Sequence, residues 1–558
     1  MICKNCGNEI RDDAKFCPHC GRMTDSDPGS GLPQGASPYS TSAYTGPEAP
    51  VSGGGKKKGL IIGGVVAAVA VVAVLVVMVS GMFSSAKGQV EKAVSQSLAA
   101  YVQAWEALDI PDLTPLTLEQ SYSQRFSLRL EGLDTSMAGY DMSALTGLGL
   151  RFGSDLNGKD RKLGMELAAF WDEEDIISFQ MAADDNELYF SSPELTDGEF
   201  YGVNTETLGA DLSAYGVEDA ENVSFNLFDL VDIVTSSMEK QLEAKESLKE
   251  ANKALSDTIT VKKQGSETLD INGTEQKTTS YRVTIPQEAM EDYADAVIEV
   301  MESVDYVELY EEIFRAAGMS ETDIRSFLYA LESADPYGEM RTELKDFLDE
   351  LGDVELDVCL FDGYVAAVRW SDTIRGTRFD MLFTLGGGGE YVDDLGLELT
   401  VDSEKMTIKS TGDHGSKGGA FTDQTTMRVG TTRLTSDFRY APGGAGNNLT
   451  WTIGVPGSVS VDMEGRMTTA KDSMDLQLEN LSLKFLGIEM VTLSMDYYAG
   501  PYDGQSVSTG SSKLITELDG LEMMALGVKL QTNAQSWLTR TEELFVTRLP
   551  AELLQMLM

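Results

Sequence analysis

Four of the chain's five cysteines fall within its first 20 residues: Cys3, Cys6, Cys17 and Cys20. They read C-x2-C-x10-C-x2-C, and Gly7 and Gly21 follow the two pairs directly. A two-residue gap lets two thiolates reach one ion. The glycine permits the tight turn that aims backbone N–H groups at sulfur. Two such knuckles complete a tetrahedral S4 site, the closed geometry preferred by structural Zn(II). Iron in the same cage and a pair of disulfides are the alternatives. Ile2, Ile10 and Phe16 are the only sizeable apolar residues nearby. The metal must therefore supply most of the folding free energy, on the order of 10–16 kcal/mol in zinc-finger peptides. His19 lies between two ligands, but four thiolates already suffice.

The segment resembles the short zinc ribbon found at the N-termini of many bacterial membrane proteins. The matching residues are Cys3-Lys-Asn-Cys6-Gly7 and Ala14-Lys-Phe16-Cys17-Pro-His-Cys20-Gly21. Nucleic-acid binding fits poorly, because residues 1–58 hold seven Lys/Arg against six Asp/Glu and no basic patch with interleaved aromatics.

Other chemistry has few supports. The second histidine, His414, lies in Gly412-Asp413-His414-Gly415-Ser416-Lys417, where Asp413 and Ser416 are triad residue types, but a Gly-rich turn explains the run more simply. Ser84-x2-Lys87 matches a loose S-x-x-K pattern without its companion motifs. The Gly386–Gly389 run lacks the Lys-Ser/Thr of a phosphate loop. Asp155-Leu-Asn157-Gly158-Lys-Asp160 and Asp270-Ile-Asn272-Gly273-Thr-Glu275 place oxygens around tight turns, as calcium would want, yet neither completes an EF-hand loop. Twenty-five Met are spread along alternating strands, where Met fills core gaps.

The elements that must position these residues follow from the rest of the chain. Its 558 residues suit several folding units, and an apolar fraction of 42% builds real cores. Residues 24–55 contain five Pro, seven Gly and many Ser, a composition that makes a flexible tether. Lys56-Lys57-Lys58 precede Gly59–Phe83, which has no charged residue. At ~1.5 Å per residue this run spans about 37 Å, enough for the ~30 Å hydrocarbon core of a bilayer. The lysines place the N-terminus in the cytoplasm and residues 84–558 outside. The cysteines agree, since the exported part keeps only Cys359 and so has no internal disulfide. Gly59-x3-Gly63 and Ala67 form a small-x3-small ridge within an ordinary Ala/Gly-rich anchor. With 43 basic and 90 acidic residues the chain has a net charge of −47, nearly all of it beyond the span. Such a surface repels a phosphate backbone and anionic headgroups.

Val90, Val94, Leu98, Tyr101, Trp105 and Leu108 recur at helical spacing before Pro111. Alternating strands follow, marked by Phe126, Leu128 and Leu130, by Leu163, Met165 and Leu167, and by Ile177, Phe179 and Met181. Residues 223–255 predict a helix, 257–285 a hairpin turning at Asn272-Gly273, and 286–352 a helical stretch broken near Gly318 and Pro336. From Val354 onward the pattern is nearly all β, with Asp362-Gly363 as a hairpin turn and runs at 377–385, 393–400, 405–410, 425–440, 448–455, 458–468, 473–484 and 489–497. Many strands joined by short turns predict a large antiparallel sheet with helices over its apolar face.

The expected fold class is therefore α+β. A zinc ribbon occupies 1–23 and a disordered Pro/Gly/Ser linker with a basic membrane flank 24–58. One transmembrane helix covers 59–83, an α+β ectodomain part 84–352, and a mainly antiparallel β part 353–558.

Asp185-Asn186-Glu187-Leu188-Tyr189-Phe190-Ser191-Ser192-Pro193-Glu194-Leu195, followed by Phe200-Tyr201-Gly202-Val203-Asn204, resembles an element of exported lipoprotein-carrier-like folds of the LolA and LppX type. The chain is also similar to clostridial membrane proteins that join a zinc ribbon, one span and such an ectodomain. The resemblance implies a curved sheet around helices and an apolar ligand cavity.

The expected function is a non-enzymatic, single-pass plasma-membrane protein. A cytoplasmic structural zinc ribbon contacts protein partners inside, and an extracytoplasmic domain binds or scaffolds outside. The alternatives are a carrier or sensor of apolar ligands, lipid or cell-wall precursor, and an extracytoplasmic hydrolase.

Overall fold

In the computed structural model, the residues described are 85–550 and 554, apart from 107, 135–141, 215, 217–224, 272, 303–305, 317–318, 320, 333–335, 387–393, 415–418, 445, 506 and 508–511. The expected zinc ribbon, linker and membrane span lie outside these residues. Among the described residues, no helix is long and apolar enough to cross a membrane.

The chain opens with α1 (Ala86–Glu106) and α2 (Thr114–Leu118), then a first run of strands. These are β1 (Ser121–Leu133), β2 (Leu148–Asn157), β3 (Lys162–Trp171), β4 (Glu174–Ala183), β5 (Glu187–Ser191) and, after α3 (Pro193–Thr196), β6 (Phe200–Asn204). Helices α4 (Leu208–Ala214) and α5 (Leu227–Thr258) lead to the hairpin β7 (Thr260–Ile271) and β8 (Thr274–Ile285). Four helices come next: α6 (Gln287–Glu302), α7 (Tyr306–Ala316), α8 (Glu321–Glu332) and α9 (Pro336–Leu351). The second run of strands starts with β9 (Val354–Phe361), β10 (Tyr364–Ile374), β11 (Thr377–Leu385), β12 (Asp394–Val401), β13 (Glu404–His414) and β14 (Phe421–Val429). It continues through β15 (Thr432–Ala441), β16 (Asn447–Val455), β17 (Val459–Thr469), β18 (Met474–Phe485) and β19 (Ile488–Pro501). Short β20 (Ser512–Leu514) and the long helix α10 (Gly520–Arg548) complete it.

All 20 strands belong to one sheet. Strands β7 to β19 lie side by side in chain order, β19 pairs with β1, and β1 to β6 continue outward. Each of these pairs is antiparallel, and β20 adds to β6 in parallel. The order is a meander whose ends are set by hairpins. Asp362-Gly363 and Leu486-Gly487 turn with positive φ at both residues, the geometry that matches strand twist.

Alternation gives the sheet two unlike faces. On β1, Phe126, Leu128 and Leu130 share one face and Arg125, Ser127 and Arg129 the other. Cross-strand partners share a face, so the apolar side can be followed strand by strand. Phe126 stands between Tyr497 and Phe152, Phe152 meets Leu167, and Leu167 meets Phe179.

Among the described residues, helices cover this apolar face most fully at one end. Val90 and Val94 of α1, Leu255 of α5 and Ala289 of α6 close over Val283, Leu356, Val358, Val368, Trp370 and Met381 of β8 to β11. Burial of such side chains contributes about 1.5–3 kcal/mol each. Helix α10 instead runs along the strand ends of β3 to β6. Its Trp537 indole N–H donates to the Ile176 carbonyl at 2.7 Å, its Lys529 pairs with Glu199 at 2.9 Å, and Phe545 packs edge-on against Trp171.

Helix α5 reports the curvature of the sheet. Asn226 caps its start by accepting from the N–H groups of Phe228 and Asp229. Near that start, Asp232 pairs at 2.9 Å with Arg161 of the β2–β3 turn, whose guanidinium lies over the buried Phe228 ring. Near its end, Leu255 is buried on β8 and β9. Asp232 to Leu255 is about 35 Å along a helix axis. From β8 to β2 through the sheet is about 62 Å at ~4.8 Å per strand. The sheet must therefore bend toward α5, and its apolar face is the concave one.

The two strand runs on either side of 352 thus form one sheet. Two expectations shift. The run 425–440 is two strands, β14 and β15, because Gly430 at φ 58° and Thr431 make a two-residue turn. The mainly β C-terminal part also ends in α10, started by a capping box in which Asp519 and Glu522 each bond the other's backbone N–H.

Leu356 has no exposed surface. Leu356→Ala is expected to lower stability by about 2–5 kcal/mol in chemical denaturation, whereas Leu486→Ala at an exposed turn should stay within about 1 kcal/mol.

Candidate functional site

From β14 to β5 the concave face is built by alternation alone. In register order it presents Met427 and Leu434, then Phe438, Trp451 and Met463, then Leu481, Leu493 and Leu130. The second half continues through Leu128 and Leu150, and through Phe152, Leu167 and Phe179. Eleven strands make a band about 48 Å long. Most of these side chains are half-buried by one another, but Leu150 is 54% exposed, Leu167 51%, Phe179 48% and Phe190 51%. Its margins are covered: Leu108, just past α1, is buried with Phe421, Tyr440 and Met467, and Leu544 and Phe545 of α10 pack with Trp171 and Leu148; between them no described helix covers it as α1, α5 and α6 cover β8 to β11. Contiguous exposed apolar surface of this kind marks a binding surface.

Along the band the charged side chains among the described residues are acidic, Glu174 at the β3–β4 turn and Asp423, which accepts from the hydroxyls of Ser410 at 2.5 Å and Thr425 at 2.7 Å. On strands β14 to β5 the described Lys and Arg fall on the opposite face by register, and many are already paired. Arg151 meets Asp175 at 3.0 Å and Lys484 meets Asp462 at 2.8 Å. That opposite face holds a shallow polar trough of about 600 Å³ over β11 to β14, lined by Lys409, Arg428, Glu398 and several threonines.

The residues singled out from sequence fall as follows. Cys3, Cys6, Cys17 and Cys20 lie outside the described residues. Their donor set, four thiols in two C-x2-C pairs, fits one zinc ion. His414 ends β13, and Ser416 lies outside the described residues. Asn157 and Asp160 bond one another at 3.0 Å across the β2–β3 turn, while Asp155 is buried near Arg125 at 3.7 Å. Asp270 accepts the Gly273 N–H at 2.8 Å. Both loops use their carboxylates as turn caps and ion-pair partners, and no three His, Cys, Asp or Glu side chains converge as a metal site among the described residues. The methionines Met427, Met463, Met495, Met165 and Met181 line the apolar band instead, as gap fillers do.

Cys359 is fully buried, and its thiol donates to Glu267 at 3.3 Å. Burial, helped by the Glu267 carboxylate, pushes that thiol up to about 11. It is a structural side chain and not a nucleophile.

The resemblance implies an apolar cavity under a curved sheet, but sequence reasoning does not name the strands of this apolar band. Its signal is the repeated alternation, which names a face without telling whether a helix covers it.

Residues 2–23 match the zinc-ribbon domain family, so the chain has a zinc ribbon at its N-terminus. No curated protein matches the chain.

Cys17→Ser is expected to drop bound zinc from about one per chain to below about a tenth, read by elemental analysis of purified protein. Cys359 should stay unlabelled by a maleimide at pH 7 in the native chain and label fully once unfolded, read peptide by peptide in a mass spectrometer. Its folded pKa is raised, so the thiolate fraction remains small until the pH approaches 11.

Proposed function

We propose that this is a non-enzymatic, single-pass plasma-membrane protein whose extracytoplasmic domain holds an apolar, long-chain ligand on its concave sheet face. The observation that carries the reading is the exposed apolar stretch through Leu150, Leu167, Phe179 and Phe190, on strands whose described Lys and Arg face the other way, in a sheet bent into a trough. A flat partner such as a second sheet would fit a concave face badly, whereas flexible alkyl chains follow it.

Gly59–Phe83 supplies the anchor, with the zinc ribbon in the reducing cytoplasm, where it recruits a protein partner. The flexible linker suits recruitment better than rigid signal transfer. The resemblance to LolA and LppX carriers and to clostridial zinc-ribbon membrane proteins supports the same reading.

The expected magnitude agrees. Half-covering a 16-carbon chain at about 0.8 kcal/mol per fully buried CH₂ gives about 6 kcal/mol, a Kd on the order of tens of micromolar. The chain remains exchangeable.

The test is photocrosslinking of the full-length protein, in nanodiscs, with a diazirine-bearing monoacylglycerol. Crosslinks are expected on peptides containing Leu150, Leu167, Phe179 and Phe190, and Phe179→Asp should lower them about tenfold while leaving the circular dichroism spectrum unchanged. Crosslinks confined to the opposite face, or none, would refute the proposal.

A further inference from the structure

The charges around the apolar band narrow what it holds. A head group emerging from the trough meets either the band itself or one of its two rims. Among the described residues the band from β14 to β5 offers Glu174 and Asp423 and no Lys or Arg. At the rim near α10, Arg548 is taken by Asp172 at 2.5 Å and Lys529 by Glu199 at 2.9 Å, while the Arg540 guanidinium is turned onto the backbone carbonyls of Asp175 and Ile176. At the other rim, Arg161 is taken by Asp232 at 2.9 Å. The surrounding field is strongly negative, since the chain has 90 acidic against 43 basic residues. An anionic head group would lose hydration and, with Arg540 turned onto backbone carbonyls, gain little counter-charge there against the negative field.

We infer that the long-chain ligand of this face has an uncharged or cationic head group and is selected against carboxylate and phosphate heads. This rests on the reading that the face binds alkyl chains at all. It goes further by excluding the large class of anionic lipids and polyprenyl phosphates. A neutral head loses only part of its hydration, and a cationic head gains from the same field that repels the anion. Discrimination of this origin is electrostatic and must fade as salt shortens the Debye length from about 10 Å at 0.1 M to about 3 Å at 1 M.

The experiment uses the full-length protein in zwitterionic nanodiscs with the photoreactive monoacylglycerol as probe. Unlabelled competitors share one chain length: a monoacylglycerol, an alkylammonium, a fatty-acid carboxylate and an alkyl phosphate. Amounts are counted per nanodisc lipid, so partitioning into the disc is corrected against empty discs. In 20 mM salt the first two are expected to displace the probe at concentrations at least tenfold below the last two, and in 1 M salt the gap should close to within about threefold. Equal or better competition by either anion in low salt would overturn the inference while leaving alkyl-chain binding intact. Failure of all four to compete would overturn alkyl-chain binding itself and this selectivity with it.

Discussion

The pairing of β1 with β19 is the constraint on which the rest of the molecule depends. It joins residues about 370 positions apart along eleven register pairs, from Tyr122 opposite Pro501 to Leu133 opposite Val491. Without it the chain would hold two separate sheets, each with an exposed edge. With it, a 13-residue strand is buried between two neighbours and the apolar face runs unbroken from the helix-covered end to β5. Closing a loop of this length costs about 5 kcal/mol of chain entropy, so the ladder has to form as a unit with its flanking strands. Leu128 and Leu130 on one face, against Met495 and Leu493, offset that cost by burial. Arg125 on the other face pairs with Asp503 just beyond β19, pinning the same seam from the polar side.

Curvature follows from a second constraint, the length of α5. A rigid rod tied to the β2–β3 turn by Arg161 and to the core by Leu255 fixes the chord of the sheet, while strand count fixes its arc. The mismatch between the two sets the depth of the trough. Helices α1, α6 and α9 then fill the end nearest β8 to β10, where Val283, Leu356 and Val358 are sealed. The same face farther along has the same chemistry and, among the described residues, is covered at its margins by Leu108 and by Leu544 and Phe545 but not between them. The difference between core and site is therefore one of helix placement, not of residue type.

That explains which parts are legible in the sequence. Period-two alternation and Asn-Gly or Asp-Gly turns name almost every strand, and the C-x2-C pairs name the zinc ribbon. Alternation cannot say which strands are neighbours when the partner lies hundreds of residues away, so β1–β19 is invisible to it. Nor can it separate Leu356, which has no exposed surface, from Leu167, which is half exposed, since both are apolar residues on alternating strands. Helix α10 is hidden differently. Its outward face presents Leu521, Met524 and Val528, so its pattern lacks the clean polar side that marks a surface helix.

The energetics of an open trough bear on what such a protein is for. A bilayer buries an alkyl chain at about 0.8 kcal/mol per CH₂, and a half-covered face returns about half of that, so the face alone cannot pull a lipid out of a membrane. It can hold a chain that is already in water, or one handed over by another protein. On the proposed topology the site hangs just past the anchor, where Gly59–Phe83 ends within three residues of α1. Diffusion back to the bilayer is then short, and a weak site suffices because its effective concentration at the membrane is high. On that proposed topology the acidic surface would serve the same end, because it would keep the trough from lying flat on anionic headgroups and leave the proposed binding face open.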